Sequence, residues 1–246
     1  MTLVKICGNQ TPQDVLAAAE AGTDFVGMVF AESRRRVDAQ QARAMVRALG
    51  RPLVEHEFTV PPPSQPHVRE EASEWFRHGA QVLRAYLSVK RPLTVGVFAD
   101  QSIDEVNEIA EEAGIDLVQL SGDESWEDCL LVTKQVIQVV HISPIDSPSD
   151  PMQYVEPGFA LALLLDSAHG QYRGGSGQTF DWEVARRVAE RAPIFLAGGL
   201  NPANVGEAIR TVQPWAVDVS SGIERDGAKD YELVRAFLRA AKGAGA

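Results

Sequence analysis

Eight short apolar runs recur along the chain and alternate with longer stretches of helical periodicity. The runs cover residues 3–7, 24–30, 93–99, 116–120, 136–142, 161–166, 193–199 and 215–221. Amphipathic segments such as 11–22 and 102–114 lie between them. Uninterrupted apolar runs are typical of parallel strands that helices cover on both faces. The pattern predicts an α/β fold, a single (β/α)8 TIM barrel over residues 1–246. An open doubly wound sheet is the alternative that the count of runs leaves open.

One region interrupts this alternation. Residues 51–92 carry a proline-rich stretch at 59–66 and a second helix-like segment at 70–87 before the third strand begins. We interpret 51–92 as an insertion between helix 2 and strand 3. A segment that joins a helix to the next strand lies on the N-terminal face of a barrel, whereas barrel chemistry lies at the carboxyl ends of the strands. The insertion is therefore expected to have a structural or oligomeric role.

Charge and composition narrow the class of partner. The net charge is −11 and the isoelectric point is about 4.9, which argues against a nucleic-acid partner. No apolar run approaches the roughly 20 residues that a membrane span needs, and the N-terminus lacks the pattern of a secretory signal. The two cysteines, Cys7 and Cys129, form no CxxC pair and no metal-ligand spacing. We therefore expect a cytoplasmic protein without a membrane or metal partner.

Glycine and serine residues end the last two predicted strands. Gly198 and Gly199 follow strand 7, with a helix expected to start at 201–202, and Ser220 and Ser221 end strand 8. Glycine allows close backbone approach to a ligand, and these two loops form the usual phosphate site of barrel enzymes. Tight turns that need positive φ are the alternative explanation. The sequence predicts a phosphorylated small-molecule ligand.

Three further side chains stand at predicted strand ends. Asp166 follows the apolar run LALLL, so a partly desolvated carboxyl group with a raised pKa is expected there, suited to acid catalysis. Cys7 ends strand 1 and could act as a base or nucleophile if its thiolate forms. Arg35 lies in a basic cluster after strand 2 and suits a substrate carboxylate. The structural alternatives are a loop-capping Asp166, a packing thiol at Cys7 and a solvated charge run. The glycine-rich segment 166–180 is expected to close over a substrate.

Together these residues resemble the phosphoribosylanthranilate isomerase family of tryptophan biosynthesis. The motifs that carry the resemblance are KICG, SRRRV, QLSGDES, GGSGQTFDW, LAGGLNPANV and VDVSSGIE. They occur in the family's order and cover almost the whole chain apart from the insertion and parts of 143–158. The resemblance implies an Amadori rearrangement of N-(5-phosphoribosyl)anthranilate to 1-(2-carboxyphenylamino)-1-deoxyribulose 5-phosphate, without a metal or organic cofactor. It also implies a cytoplasmic monomer or homodimer.

The resemblance also assigns roles to individual residues. By matching motif, Cys7 is the general base and Asp166 the general acid. Arg35 falls at the family's anthranilate-contacting arginine, with Arg36 as its neighbour in the same motif. The phosphate would be held by Gly198, Gly199, Ser220 and Ser221. One departure is Ser121, where the family usually has histidine; we expect altered substrate packing there rather than lost activity.

Two other function classes are alternatives to the isomerase. Another phosphosugar barrel, such as an epimerase or the histidine-pathway isomerase, would share the phosphate loops. Such enzymes lack the pair Cys7 and Asp166 and usually place aspartates at the ends of strands 1 and 5. A ligand sensor or assembly partner without activity would be favoured by loss of either residue, and both are present.

Overall fold

The fold is a closed barrel of eight parallel strands in sequential order. The computed structural model describes residues 1–59, 71–142, 151–167 and 182–244. The strands are β1 (Leu3–Ile6), β2 (Phe25–Val29), β3 (Leu93–Phe98), β4 (Leu117–Leu120), β5 (Gln135–Ile142), β6 (Ala162–Ser167), β7 (Ile194–Leu196) and β8 (Ala216–Val219). β8 pairs with β1 and closes the ring. The predicted (β/α)8 barrel is confirmed, and every strand falls on one of the eight apolar runs.

Seven α-helices accompany the strands in the described residues. They are α1 (Pro12–Glu20), α2 (Ala39–Ala48), α3 (Ala72–Val89), α4 (Ile103–Ala113), α5 (Trp182–Ala189), α6 (Val205–Val212) and α7 (Tyr231–Gly243). Between β4 and β5 the chain forms a 3-10 helix (Glu127–Leu130), and another (Pro151–Tyr154) precedes β6. Within the described ranges, no helix is both long and apolar enough to cross a membrane.

One helix boundary differs from the prediction at 201–202. The helix after β7 begins at Val205. The side chain of Asn201 accepts hydrogen bonds from the backbone N–H groups of Ala203 and Asn204, at 2.8 and 3.2 Å. These bonds hold residues 201–204 in a turn, a conformation that asparagine favours over helix. The helix therefore starts one turn later than Asn-Pro suggests.

The predicted insertion between helix 2 and strand 3 is confirmed as α3 and a 3-10 turn (Leu53–Glu55). The α3 side chains Val82, Leu83 and Tyr86 share one buried cluster with residues that begin the strands, among them Leu3 and Phe25. Helix α3 also lies directly on the start of β6: a Cβ atom built on Gly79 would come within 1.9 Å of the Leu161 carbonyl oxygen. Consequently α3 packs across the amino-terminal ends of the strands.

A buried carboxylate joins both ends of the insertion to the barrel. Asp116, at the entrance to β4, accepts a hydrogen bond from Leu53 N at 2.8 Å and forms an ion pair with Lys90 at 2.5 Å. It also accepts from the backbone and side chain of Thr94 on β3, at 2.7 and 2.8 Å. Four bonds on one buried carboxylate satisfy its acceptor sites and hold the insertion against the barrel.

Candidate active site

A cavity of about 260 Å³ opens at the carboxyl ends of the strands. Its lining includes all seven residues singled out in the sequence: Cys7, Arg35, Asp166, Gly198, Gly199, Ser220 and Ser221. They come from five separate parts of the chain: the segments that follow β1, β2, β7 and β8, and the end of β6. Arg36 is exposed and is absent from this lining. The barrel therefore gathers the predicted base, acid, arginine and phosphate loops around one space.

Strand periodicity explains which side chains reach the cavity. Alternate residues of a strand point to the same face, so Cys7 shares the barrel interior with Lys5, and Ser220 with Asp218. On β5 and β6, His141 and Asp166 are register partners. Both line the cavity, as does Ser121 from the end of β4. The interior is thus apolar at the amino ends of the strands and polar at their carboxyl ends.

Cys7 lies at the floor of the cavity, only 6% exposed. Its backbone N–H donates to the Val219 carbonyl at 2.8 Å. Burial raises the pKa of the Cys7 thiol, the positive charge of Lys5 opposes that rise, and the Asp218 carboxylate adds to it. The neighbouring strand leaves room for the sulfur only because residue 27 is glycine: a Cβ there would lie 2.7 Å from Sγ.

A buried ion pair lies beneath Cys7. Lys5 is completely buried, and its Nζ is 3.0 Å from Oδ2 of Asp218. Burial alone would lower the pKa of the Lys5 ammonium, but the charges of Asp218 and Cys7 outweigh burial and raise it. The ammonium is therefore charged at neutral pH. The sequence analysis missed both residues, although a lysine inside an apolar strand run was a usable indication of a buried cation.

Arg35 is held by an ionic cluster at the rim of the cavity. Its Nε and Nη2 donate to the two oxygens of Glu224, at 2.6 and 2.9 Å. Glu224 lies in a short hairpin of β9 (Glu224–Arg225) and β10 (Ala228–Lys229). Lys229 Nζ is 2.9 Å from both Glu224 Oε1 and the Ser220 carbonyl. The hairpin thus connects the predicted carboxylate-binding arginine to the phosphate loop after β8.

Opposing effects keep Glu224 ionised. Burial alone would raise the pKa of Glu224, but the hydrogen bond from Arg35 and the charge of Lys229 outweigh burial and hold it below its ordinary value. Burial lowers the pKa of Lys229, an effect that the charge of Glu224 opposes. By accepting hydrogen bonds from Arg35 and Lys229, the Glu224 carboxylate holds both cations at defined positions.

The two predicted phosphate loops are packed against each other. Gly198 and Gly199 have φ values of 87° and 65°, which side-chain-bearing residues rarely adopt. A Cβ on Gly222, after β8, would come within 1.9 Å of the Leu200 carbonyl oxygen. Gly8, after β1, also has a positive φ, of 75°, and a Cβ there would lie 2.5 Å from Arg35 Cδ. Glycine at these positions lets three loops converge on one small site.

Asp166 and His141 face the cavity from adjacent strands. Asp166 is half-buried near the end of β6. Nε2 of His141 is 2.9 Å from the carbonyl oxygen of Ser121, and Gln119 donates to the Ser121 hydroxyl at 3.0 Å. An imidazole on β5 therefore contacts the position where the family's histidine was expected. The segment expected to close over a substrate, 166–180, lies outside the described residues from 168 onwards.

The remaining cysteine lies outside the site. Cys129 is buried, and its Sγ is 3.4 Å from Gln138 Oε1. Burial raises the pKa of its thiol to about 12. Across the part of the chain that the structure describes, no group of three or more His, Cys, Asp or Glu side chains could hold a metal ion. Cys129 is a packing residue.

Comparison with known proteins shows that the chain is similar to phosphoribosylanthranilate isomerases. The family model for N-(5'-phosphoribosyl)anthranilate isomerase matches residues 54–240. The isomerase of that name from Dehalococcoides mccartyi is 36% identical over 249 residues, covering 99% of this chain and 97% of its own. The crystal structure of the Thermotoga maritima phosphoribosylanthranilate isomerase has a TM-score of 0.73 at 31% identity, covering 99% of this chain and 100% of its own.

Two further relatives are a structure with a bound ligand and a multifunctional protein. A crystal structure of a phosphoribosylanthranilate isomerase in complex with reduced 1-(o-carboxyphenylamino)-1-deoxyribulose 5-phosphate has a TM-score of 0.69 at 30% identity, covering 99% of this chain and 100% of its own. The multifunctional tryptophan biosynthesis protein of Phycomyces blakesleeanus is 39% identical over 97% of this chain. The chain spans 32% of the length of that multifunctional protein.

Proposed function

The chain belongs to the N-(5'-phosphoribosyl)anthranilate isomerase family, and from that membership we propose how its active site carries out the isomerisation. The activity is an aldose–ketose isomerisation in tryptophan biosynthesis. N-(5-phosphoribosyl)anthranilate is converted to 1-(2-carboxyphenylamino)-1-deoxyribulose 5-phosphate. No atoms are gained or lost, so the protein must only move protons and hold the substrate in place.

Asp166 is the general acid of the first step. A protonated carboxyl group gives its proton to the furanose ring oxygen, the C1–O bond breaks, and the nitrogen lone pair forms the C1=N bond of a Schiff base. The position of Asp166 near the end of β6, half-buried and lining the cavity, supports this role. A partly desolvated carboxyl group holds its proton at higher pH than an exposed one.

Cys7 is the general base of the second step. Its thiolate takes the proton from C2 of the ribose, the C2–H electron pair forms the C1=C2 bond, and the C1=N pair moves to nitrogen. The resulting enolamine tautomerises to the ketone. Cys7 and Asp166 line the same cavity from separate strands, β1 and β6. An acid and a base on separate walls can act on different atoms of one substrate.

The two ends of the substrate are assigned to the two polar regions of the rim. Arg35 binds the anthranilate carboxylate, because its guanidinium has five N–H donors and Glu224 uses two of them. The loops with Gly198, Gly199, Ser220 and Ser221 bind the phosphate through backbone and hydroxyl donors. Binding of this anion by a chain of net charge −11 relies on these local groups.

The observation that carries the proposal is the convergence of all seven predicted residues on one cavity. The test follows the loss of phosphoribosylanthranilate fluorescence on addition of the purified protein in EDTA. We expect rapid loss with the wild type, a large loss of activity in Cys7→Ala and Asp166→Ala, and kcat lowered by about 10² or more in Cys7→Ser and Asp166→Asn. Cys129→Ala is the matched thiol control and should keep wild-type turnover.

Each outcome has a definite consequence. Unchanged kcat in Cys7→Ser would remove the thiol from the mechanism, and near-normal turnover in Asp166→Asn would place the acid elsewhere. Loss of the wild-type reaction in EDTA would contradict catalysis without a metal. No turnover by the wild type in any buffer would point to a repurposed barrel.

The same proposal covers where and with what the protein acts. Its partner is a phosphorylated small molecule, consistent with the ligand in the related complex, and neither nucleic acid nor a membrane takes part. A catalytic free thiol fits a reducing cytoplasm. We expect a monomer or a homodimer, and light scattering coupled to size-exclusion chromatography distinguishes the two.

A further inference from the structure

The Lys5–Asp218 ion pair has no role in the mechanism given above. Lys5 is completely buried and Asp218 is 9% exposed, with 3.0 Å between Nζ and Oδ2. Lysine is rarely buried unless it is paired with an opposite charge. Even in a buried pair, the desolvation of the two charges offsets most of their attraction. Replacement of such a pair by apolar residues is often neutral or stabilising in proteins. Stability alone therefore does not explain why the centre of this barrel holds a cation.

The position of the pair relates it to Cys7. Lys5 and Cys7 are two residues apart on the first strand's inward face, and Asp218 on β8 is the register partner of Lys5. Side chains two residues apart on one face of a strand are neighbours, so the charge of the Lys5 ammonium acts on the Cys7 thiol and favours the thiolate. It has the largest effect among the groups that favour the thiolate. Lys229 also acts in this direction, but its ammonium is already bonded to Glu224 and to the Ser220 carbonyl.

We propose that Lys5 is a positioning residue whose ammonium is the counter-ion of the Cys7 thiolate, and that Asp218 holds this ammonium in place while weakening its effect on the sulfur. This inference rests on Cys7 being the base. Burial by itself makes a thiolate unstable, because the charged form loses its hydration. A fixed ammonium beside the sulfur offsets part of that loss, so that a useful fraction of Cys7 ionises. The Asp218 carboxylate repels the thiolate and partly cancels the gain.

Other ionisable groups near Cys7 do not change between the variants used to test this. Lys229 acts on the thiol by charge. The charged and titratable groups that line the same cavity from other elements are Glu32, Arg35, His141 and Asp166. A comparison in which only the Lys5–Asp218 pair is altered therefore isolates the net contribution of that pair.

The test compares the wild type with the double variant Lys5→Met/Asp218→Asn. Either single substitution would leave a buried charge unpaired, which destabilises a protein strongly; the double variant avoids this. Alkylation of Cys7 by iodoacetamide is followed by peptide mass spectrometry as a function of pH. Far-UV circular dichroism checks folding, and Cys129 in the same sample reports any general opening, because it should stay unmodified below pH 10.

We expect removal of the pair to make Cys7 harder to ionise, because Lys5 favours the thiolate more than Asp218 opposes it. The double variant should raise the apparent thiol pKa by about 1 unit or more, which slows alkylation at pH 8 about tenfold relative to the wild type. In turnover the double variant should lower kcat about tenfold relative to the wild type and shift the alkaline rise of kcat by the same amount, with KM within about threefold.

Equal alkylation profiles for the wild type and the double variant would overturn the proposal, as would faster alkylation of Cys7 in the double variant. The alkylation measurement needs no turnover. It is therefore separate from the proposed function: full activity of Cys7→Ala would reject Cys7 as the base and leave the coupling between Lys5 and the thiol to be judged by the alkylation rates alone.

Discussion

At the scale of single residues, Arg35 is constrained more by its partners than its sequence motif suggests. Two of its nitrogen atoms bind Glu224, which also binds Arg34 and Lys229. The side chain is folded over Gly8, which has no room for a Cβ. A guanidinium held in this manner loses little rotamer freedom when it binds a carboxylate, so most of the interaction energy contributes to affinity.

We therefore expect Arg35→Lys to act mainly on substrate binding. Lysine cannot bridge Glu224 and a ligand carboxylate at once, and loss of a charged hydrogen bond of about 1.5–3 kcal/mol corresponds to a KM raised about tenfold or more. The value of kcat should stay within about threefold, because Arg35 takes part in neither proton transfer. Steady-state kinetics measures both constants.

Arg34→Lys is the matched control for this change. Arg34 also pairs with Glu224, at 2.7 Å, but it is largely exposed and does not line the cavity. Its KM should stay within about twofold of the wild type, since exposed ion pairs contribute little. Equal effects of the two substitutions would mean that the cluster around Glu224, and not a contact of Arg35 with the substrate, determines KM.

Functional side chains could be predicted from the sequence where they stand at the end of a strand. Cys7 and Asp166 follow apolar runs, so their place at the barrel mouth could be inferred from strand length. The inward position of Lys5 could also have been inferred, because it lies two residues from Cys7 on the same strand. The inward position of His141 follows in the same way from Val139. Glu224 and Lys229 were not, because they meet only through a two-residue hairpin after β8 and belong to no periodic segment.

At the scale of elements, the strands were predictable because both of their faces are buried. Each reads as a short continuous apolar run, and a run of that length favours a strand over a helix. Helix starts were less predictable: Asn201 uses its side chain to hold a turn, which delays α6 to Val205. Between β4 and β5 the chain forms a short 3-10 helix at Glu127–Leu130, where a (β/α)8 barrel ordinarily has an α-helix.

The contact between α3 and β6 gives a sharp stability prediction. Gly79→Ala places a Cβ against the backbone oxygen of Leu161, which has no freedom to move aside. We expect the free energy of unfolding to fall by about 1–3 kcal/mol, despite the better helix propensity of alanine. Urea unfolding measures it. Because Gly79 lies at the end of the barrel opposite the cavity, kcat and KM of the folded enzyme should not change.

Gly243→Ala is the control for helix propensity. Gly243 ends α7, and a Cβ there meets nothing within 4 Å. The substitution should be neutral or stabilising by up to about 1 kcal/mol. A Gly79→Ala protein as stable as Gly243→Ala would show that α3 does not pack on β6 as closely as described.

At the scale of the whole molecule, the barrel interior is divided between stability and chemistry. Its amino-terminal half is apolar and continues into α3, whereas its carboxyl-terminal half holds the Lys5–Asp218 pair and the cavity. The family motifs identified functional residues in the carboxyl-terminal half of the barrel interior. They gave no indication of how α3 completes the amino-terminal half, because the insertion carries no motif. Its role follows from apolar side chains such as Leu83, which complete the core from below.

This division predicts that the insertion and the barrel unfold as one unit, consistent with a single domain over residues 1–246. Hydrogen exchange followed by mass spectrometry in increasing urea tests it. Amides in the second half of α3, from Gly79 to Val89, should exchange with the same free energy as those of β2 and β3, within about 1 kcal/mol, and with the same urea dependence. The exposed residues Val54 and Glu57 serve as the fast-exchanging control. Exchange of α3 at a much lower free energy, while β2 stays protected, would instead make the insertion a separate folding unit attached to a barrel that is complete without it.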